Sequence, residues 1–166
     1  AVVQANRRVH AEAGNDEGRQ GMGATLVLAR FTKRRLVVAH VGDSRLYRLR
    51  DGRLSQLTRD HSLVQELVDG GMLSAEEARH SPHRNVITRA VGHQARVEVD
   101  VASHDSRRGD RVLLCSDGLT DLVEDDRLAM CLRDPVSPKE AAQTLTDLAK
   151  QAGGKDNIAV LVADID

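Results

Sequence analysis

Aromatic residues are almost missing from this chain of 166 residues: Phe31 and Tyr47 stand alone, and there is no tryptophan. Binding of single-stranded nucleic acid commonly uses several aromatic faces along a groove, so this scarcity argues against that class of function. Any core has to be assembled from Val, Leu, Ile and Ala. Cysteine is equally scarce. Cys115 and Cys131 are too few for a disulfide framework or a four-thiolate zinc site. No apolar run approaches the roughly 20 residues of a membrane span, and no signal peptide is visible. The expected setting is therefore the reducing cytoplasm, with no membrane partner. Charge of one sign is lacking too: 24 basic residues face 25 acidic ones, for a formal net charge of -1. A nucleic-acid partner would call for a basic excess, and none is expected here. What is present is a chain that is 40% apolar, enough for the core of one domain.

Apolar residues Val2, Ala5, Val9 and Ala13 recur at helical spacing. Gly14 and the polar stretch to Gly21 end that helix. Strand-like runs follow at Ala24–Thr32 and Leu36–Val41, then at Arg45–Arg50. Asp51-Gly52 is a two-residue hairpin signal leading into a strand through Leu54 and Leu57. Residues 61–80 change character. Ser62-x-x-Gln65 and Ser74-x-x-Glu77 are capping-box patterns that open two helices. Strands return at Val97–Ala102 and Arg111–Cys115. A helix is expected over Asp125–Arg133, and another from Ser137-Pro138-Lys139-Glu140 to Gly153-Gly154. A last buried strand is expected at Ile158–Ala163. Strands, a helical insert, more strands and closing helices make an α+β pattern with largely antiparallel sheets.

Three aspartates stand where an apolar run meets a turn: Asp43 after Leu36–Val41 and Gly42, Asp117 after Val112–Ser116, and Asp156 after Gly153-Gly154. Carboxylates are hard oxygen donors, and three converging ones would suit magnesium or manganese. Each also has a plain structural use. Asp117 could cap a helix over Leu119–Leu122, and Asp156 could be a turn residue. The seven histidines show no metal-ligand spacing, and His61, beside Asp60, is the one in a position of interest. Arg84 and Arg89 flank Asn85–Thr88 and could meet an anion.

Five stretches resemble, in order and across essentially the whole chain, the PPM-type metal-dependent Ser/Thr protein phosphatases of the bacterial stand-alone kind. They are Gly21-Met22-Gly23-Ala24-Thr25, Val41-Gly42-Asp43-Ser44-Arg45, Leu57-Thr58-Arg59-Asp60-His61-Ser62, Cys115-Ser116-Asp117-Gly118-Leu119-Thr120-Asp121 and Gly153-Gly154-Lys155-Asp156-Asn157-Ile158. The resemblance implies a four-layer α-β-β-α sandwich of two antiparallel sheets. It implies hydrolysis of phosphoserine and phosphothreonine by a metal-activated water, with two catalytic Mn2+ or Mg2+ ions and room for a third. By the same resemblance Asp117 and Asp156 are catalytic metal ligands, and Asp43 joins Asp117 at the third ion. Ser44 and Asn157 stand behind the ligands. Residues from about 60 to 90, with Asp60, His61, Arg84 and Arg89, correspond to the family's substrate-facing flap. Phosphoprotein substrates of a Ser/Thr kinase are the implied partners.

One departure is plain. The family opens with a strand bearing an Arg and then an Asp-Gly motif whose Asp bridges two metals. Here Gly21 follows Gln20, and no carboxylate is available there. The expectation is a domain over 1–166 that is N-terminally incomplete. A phosphatase-like regulatory or binding domain without turnover is the alternative reading.

Overall fold

Ser137 opens the longest core-packed helix of the chain as its sequence predicts: its Oγ accepts the Glu140 N–H, and the Glu140 carboxylate accepts the Ser137 N–H in return. With Pro138 at the first helical position, this helix (α6) runs over Pro138–Gln151 and buries Ala141, Leu145 and Ala149. The computed structural model describes residues 1–15 and 17–166. Asp16, in the polar stretch after the first helix, lies outside the described residues.

Before α6, the helices are α1 (Val2–Asn15), α2 (Leu63–Asp69), α3 (Ala75–His80), α4 (Asp117–Thr120) and α5 (Asp125–Arg133). The strands are β1 (Leu26–Phe31), β2 (Arg35–Val41), β3 (Arg45–Arg50), β4 (Arg53–Gln56), β5 (Asp100–Asp105), β6 (Arg111–Cys115) and β7 (Val160–Asp164). One sheet has the order β1-β2-β5 and the other β4-β3-β6-β7. The α+β class with two antiparallel sheets and helices holds. Asp51 and Gly52 both take positive φ, 50° and 74°, which is the backbone a two-residue hairpin turn between β3 and β4 requires.

The chain forms two compact units: Ala1–Leu28, Ala39–Asp43 and Arg59–Ala102 make the first, and Ala29–Val38, Ser44–Thr58 and Ser103–Asp166 the second. In the second, Tyr47, Leu113, Cys115, Leu119, Leu128, Leu132, Leu145 and Ala149 form a core between the β4-β3-β6-β7 sheet and α4–α6. Tyr47 is the one core residue with a polar end. Its hydroxyl donates to Asp125 Oδ1 at 3.2 Å and accepts from Arg45 Nη1 at 3.0 Å. Burial raises its pKa. Arg111 ties the rim of this unit together: it pairs with Asp164 on β7 and donates to the carbonyls of Leu132, Asp134 and Val136. In the first unit the α1 side chain Asn6, 1% exposed, accepts the Gly92 N–H and donates to the carbonyls of Gln94 and Ala95.

Three expectations need correction. The strand expected over Val97–Ala102 sits three residues later, at Asp100–Asp105. The alternating valines Val97 and Val99 precede it, because partner hydrogen bonds rather than alternation set where pairing begins. The closing strand is not buried. β7 is a sheet edge paired only with β6, and Leu161 is 55% exposed. The Ser62 capping box forms on one side only. Ser62 Oγ accepts the Gln65 N–H, but the Gln65 side chain turns forward to Asp69.

Candidate functional site

Asp117 and Asp156 lie on two loops that the second unit stitches together. Ser116, at the end of β6, does the stitching. Its N–H donates to the Ala159 carbonyl at 3.1 Å and its Oγ donates to the Asn157 carbonyl at 3.2 Å. The same Oγ accepts the Ala159 N–H at 3.0 Å. Next to it, Gly118 is buried so tightly that a Cβ would overlap the backbone oxygen of Asn157. Only glycine lets the two loops approach this closely. Gly118→Ala should therefore push the loops apart and cost about 1–3 kcal/mol of unfolding free energy, read by urea denaturation.

Both carboxylates use one oxygen on the next residue's N–H: Asp117 Oδ1 takes Gly118 at 2.9 Å, and Asp156 Oδ1 takes Asn157 at 2.6 Å. Asp117 is therefore the first residue of α4 rather than its cap, which is Ser116. Asn157 meets its neighbours through its backbone. Among the described residues neither Asp117 nor Asp156 has an Arg or Lys partner. Asp100, Asp105, Asp110 and Asp164 contrast with them, since each is held by an arginine. Two acidic groups left without a cation on stitched loops are hard oxygen donors suited to a divalent ion. The residues present fit such an ion.

In the first unit, His61 organises a different cluster. His61 is 7% exposed, and its ring stacks on His40 with centroids 4.7 Å apart and planes 9° off parallel. Its Nδ1 accepts the Gly42 N–H at 3.0 Å, so its proton is on Nε2. Nε2 lies 3.3 Å from Asp100 Oδ2 and 3.0 Å from Arg89 Nη1, which donates to Asp100 Oδ1 at 2.6 Å. His40 Nε2 meets the Arg59 carbonyl at 2.8 Å and so carries the proton there. Burial lowers the His61 pKa, with Arg89 and His40 acting the same way, while the hydrogen bond to Asp100 opposes them. Ligand atoms of His40, His61 and Asp100 lie within 4.8 Å of one another. Parallel stacked rings aim their lone pairs side by side rather than at one point, and the Arg89 guanidinium already supplies the cation. The cluster is a hydrogen-bonded brace, not a metal cage.

Asp43 and Asp60, 8% and 9% exposed, belong to the first unit, and Ser44 to the second. Arg84 is exposed, with its N–H on the Ser81 carbonyl. Arg89 is engaged by Asp100, by His61 Nε2 at 3.0 Å and, at 3.6 Å, by Glu98. His40 and Asp100 escaped the sequence reading. Their partners come from β2, a loop and β5, and no spacing along the chain announces them.

The family model described as protein phosphatase 2C matches residues 1–152, and the chain belongs to that family. Serine/threonine protein phosphatase PstP of Mycobacterium tuberculosis is 44% identical over 166 residues, covering 99% of this chain and 32% of PstP. Serine/threonine phosphatase stp of Listeria welshimeri is 40% identical over 163 residues, covering 98% of this chain and 65% of that protein. The crystal structure of the PstP catalytic domain in complex with two manganese ions superimposes with a TM-score of 0.88 at 42% identity, covering 97% of this chain and 67% of that one. The chain thus spans about a third of PstP and just under two thirds of the Listeria phosphatase.

Proposed function

We propose that the protein is a metal-dependent protein phosphatase acting on phosphoserine and phosphothreonine. The observation that supports this most directly is the pair of stitched loops that carry Asp117 and Asp156, neither of which has an Arg or Lys partner among the described residues. The curated relatives at 40–44% identity are named serine/threonine phosphatases, and nothing in them favours a non-catalytic reading.

Asp117 and Asp156 would hold a divalent ion, Mn2+ or Mg2+, of a catalytic pair, and Asp43 would be a ligand of a third ion. When bound, such ions supply Lewis acidity that lowers the pKa of a coordinated water and offsets phosphoryl charge. The chain's own part is positional. Ser116 fixes the separation of the two loops. The Gly118 and Asn157 N–H groups each hold one oxygen of a carboxylate, which sets where the other points. The segment from about 60 to 90, containing α2, α3 and the exposed Arg84, is assigned to substrate contact as a flap. The substrates are phosphoproteins made by a Ser/Thr kinase. We place the activity in the cytoplasm, where Cys115 and Cys131 would stay free thiols as they are in the structure.

The test is phosphate release from a phosphothreonine peptide by the full-length protein. Release is expected with Mn2+ and is expected to stop with EDTA. Release that survives EDTA, or none from folded protein with Mn2+, would overturn the assignment. Asp43→Asn should lower turnover while two manganese ions remain bound, as counted by isothermal titration. Loss of all bound metal would contradict the role given to Asp43.

A further inference from the structure

Gly42 is an awkward residue to hold in place. Its φ is +104°, and a Cβ on it would lie 2.5 Å from Thr25 Cγ2, so the turn that carries Asp43 depends on a residue with no side chain to anchor. His61 grips it from both ends. The His61 N–H donates to the Gly42 carbonyl at 3.0 Å, and His61 Nδ1 accepts the Gly42 N–H at 3.0 Å. The imidazole is itself held at Nε2 and on one ring face, and the backbone behind it is tied as well. Asp100 faces Nε2, His40 covers one ring face, and the His61 carbonyl accepts the Thr88 N–H at 2.9 Å. Arg89, bonded to Asp100, closes the brace.

We propose that His61 is a positioning residue that fixes the Gly42–Asp43 turn through its Nδ1 lone pair, with Asp100, Arg89 and His40 holding the ring in the orientation this needs. The role rests on the reading of Asp43 as a metal ligand. The ring acts through the backbone of the residue before the ligand, not on a reacting atom. Buttressing groups of this kind change metal affinity by about 10–100-fold when removed.

The two amide replacements separate this role from bulk packing. His61→Asn places Oδ1 where Nδ1 was and keeps an acceptor for the Gly42 N–H. His61→Gln reaches toward Asp100 instead and loses that acceptor. In the full-length protein, binding of Mn2+ is followed by the loss of the free-ion EPR signal, and circular dichroism checks folding. His61→Gln should weaken the weakest manganese site by about 10-fold or more, and His61→Asn should stay within about 3-fold of wild type. The Gln effect should vanish when it is combined with Asp43→Asn, because a residue acting through Asp43 has nothing left to position. Equal behaviour of the Asn and Gln variants would overturn the proposal. So would weakened manganese binding by a folded His61→Asn, which also covers the case in which His61→Gln does not fold. An undiminished Gln effect in the Asp43→Asn background would overturn it as well. If Asp43→Asn alone leaves every manganese site unchanged, the reading of Asp43 fails and the proposal falls with it. If Asp43→Asn weakens one site and His61→Gln does not, only the positioning role fails.

Discussion

Asp117→Asn should reduce manganese-dependent phosphatase activity of the full-length protein by at least about 100-fold while leaving its melting temperature nearly unchanged. The two halves of this expectation come from different atoms of one side chain. The stability half follows from Oδ1, which accepts the Gly118 N–H at 2.9 Å. An asparagine carbonyl accepts that bond equally well, and the site is partly exposed with no ion pair to lose among the described residues. Substitutions of this kind usually stay within about 0.5 kcal/mol. The activity half follows from charge. An amide removes the formal negative charge and half of the oxygen donors from a group proposed as a metal ligand. Groups that only support metal ligands cost 10–100-fold when lost, so a ligand itself should cost at least the upper figure. Phosphate release from a phosphothreonine peptide, beside a thermal melt of the same samples, checks both halves. Near-normal turnover would remove Asp117 from the metal site, and a large fall in melting temperature would assign it a structural role instead.

Structure set by chain neighbours is legible in this sequence, and structure set by distant partners is less so. Elements whose signal is carried by neighbours in the chain were legible. The Ser74 and Ser137 capping boxes close as their spacing predicts, and the Asp51-Gly52 turn takes the positive φ values its residues allow. β6 and α5 fall on the expected residues. Elements defined by partners were less so. β5 begins where pairing begins, not where valines alternate, and β7 reads as apolar although it is a sheet edge. The candidate site divides the same way. Asp117 and Asp156 were visible through motif resemblance, and their joining through Ser116 and Gly118 is consistent with it. The brace around His61 was not visible. It is built from His40, Asp100 and Arg89, which share no register, and its central bond ends on a backbone N–H that has no sequence signature. Gly42 and Gly118 are the two positions where a motif glycine has a spatial reason. One takes a left-handed backbone beside Thr25, and the other admits the Asn157 carbonyl.

Asp110→Ala should be among the most destabilising substitutions in the second unit, at about 3 kcal/mol, equivalent to a fall of roughly 6–12 °C in melting temperature for a chain of this size. The Asp110 side chain is 1% exposed and takes a two-pronged ion pair from Arg50 Nε and Nη2, both at 2.6 Å. It also accepts the Arg107 N–H at 3.0 Å, closing the turn before β6. Removing one partner of a buried pair typically costs 3–5 kcal/mol because the other charge is left unmatched. The lower end applies here, since Asp105 remains on Arg50 Nη1 at 2.7 Å. Asp105 is the natural control. It is 52% exposed, and its replacement should cost much less despite a comparable distance, because solvent screens an exposed pair. The pH dependence gives a second check. Burial pushes the Asp110 carboxyl up, but the bonds from Arg50 and Arg107 outweigh it and hold the group below its ordinary value of 3.8. The stabilisation is therefore complete above about pH 4, where the unfolded chain is also ionised, and is lost as pH falls through the lowered folded value. Wild type and Asp110→Asn should differ most near neutral pH and converge on acidification below about pH 4. A melting-temperature gap that stays constant down to pH 2 would mean that the carboxylate charge is not what Arg50 recognises.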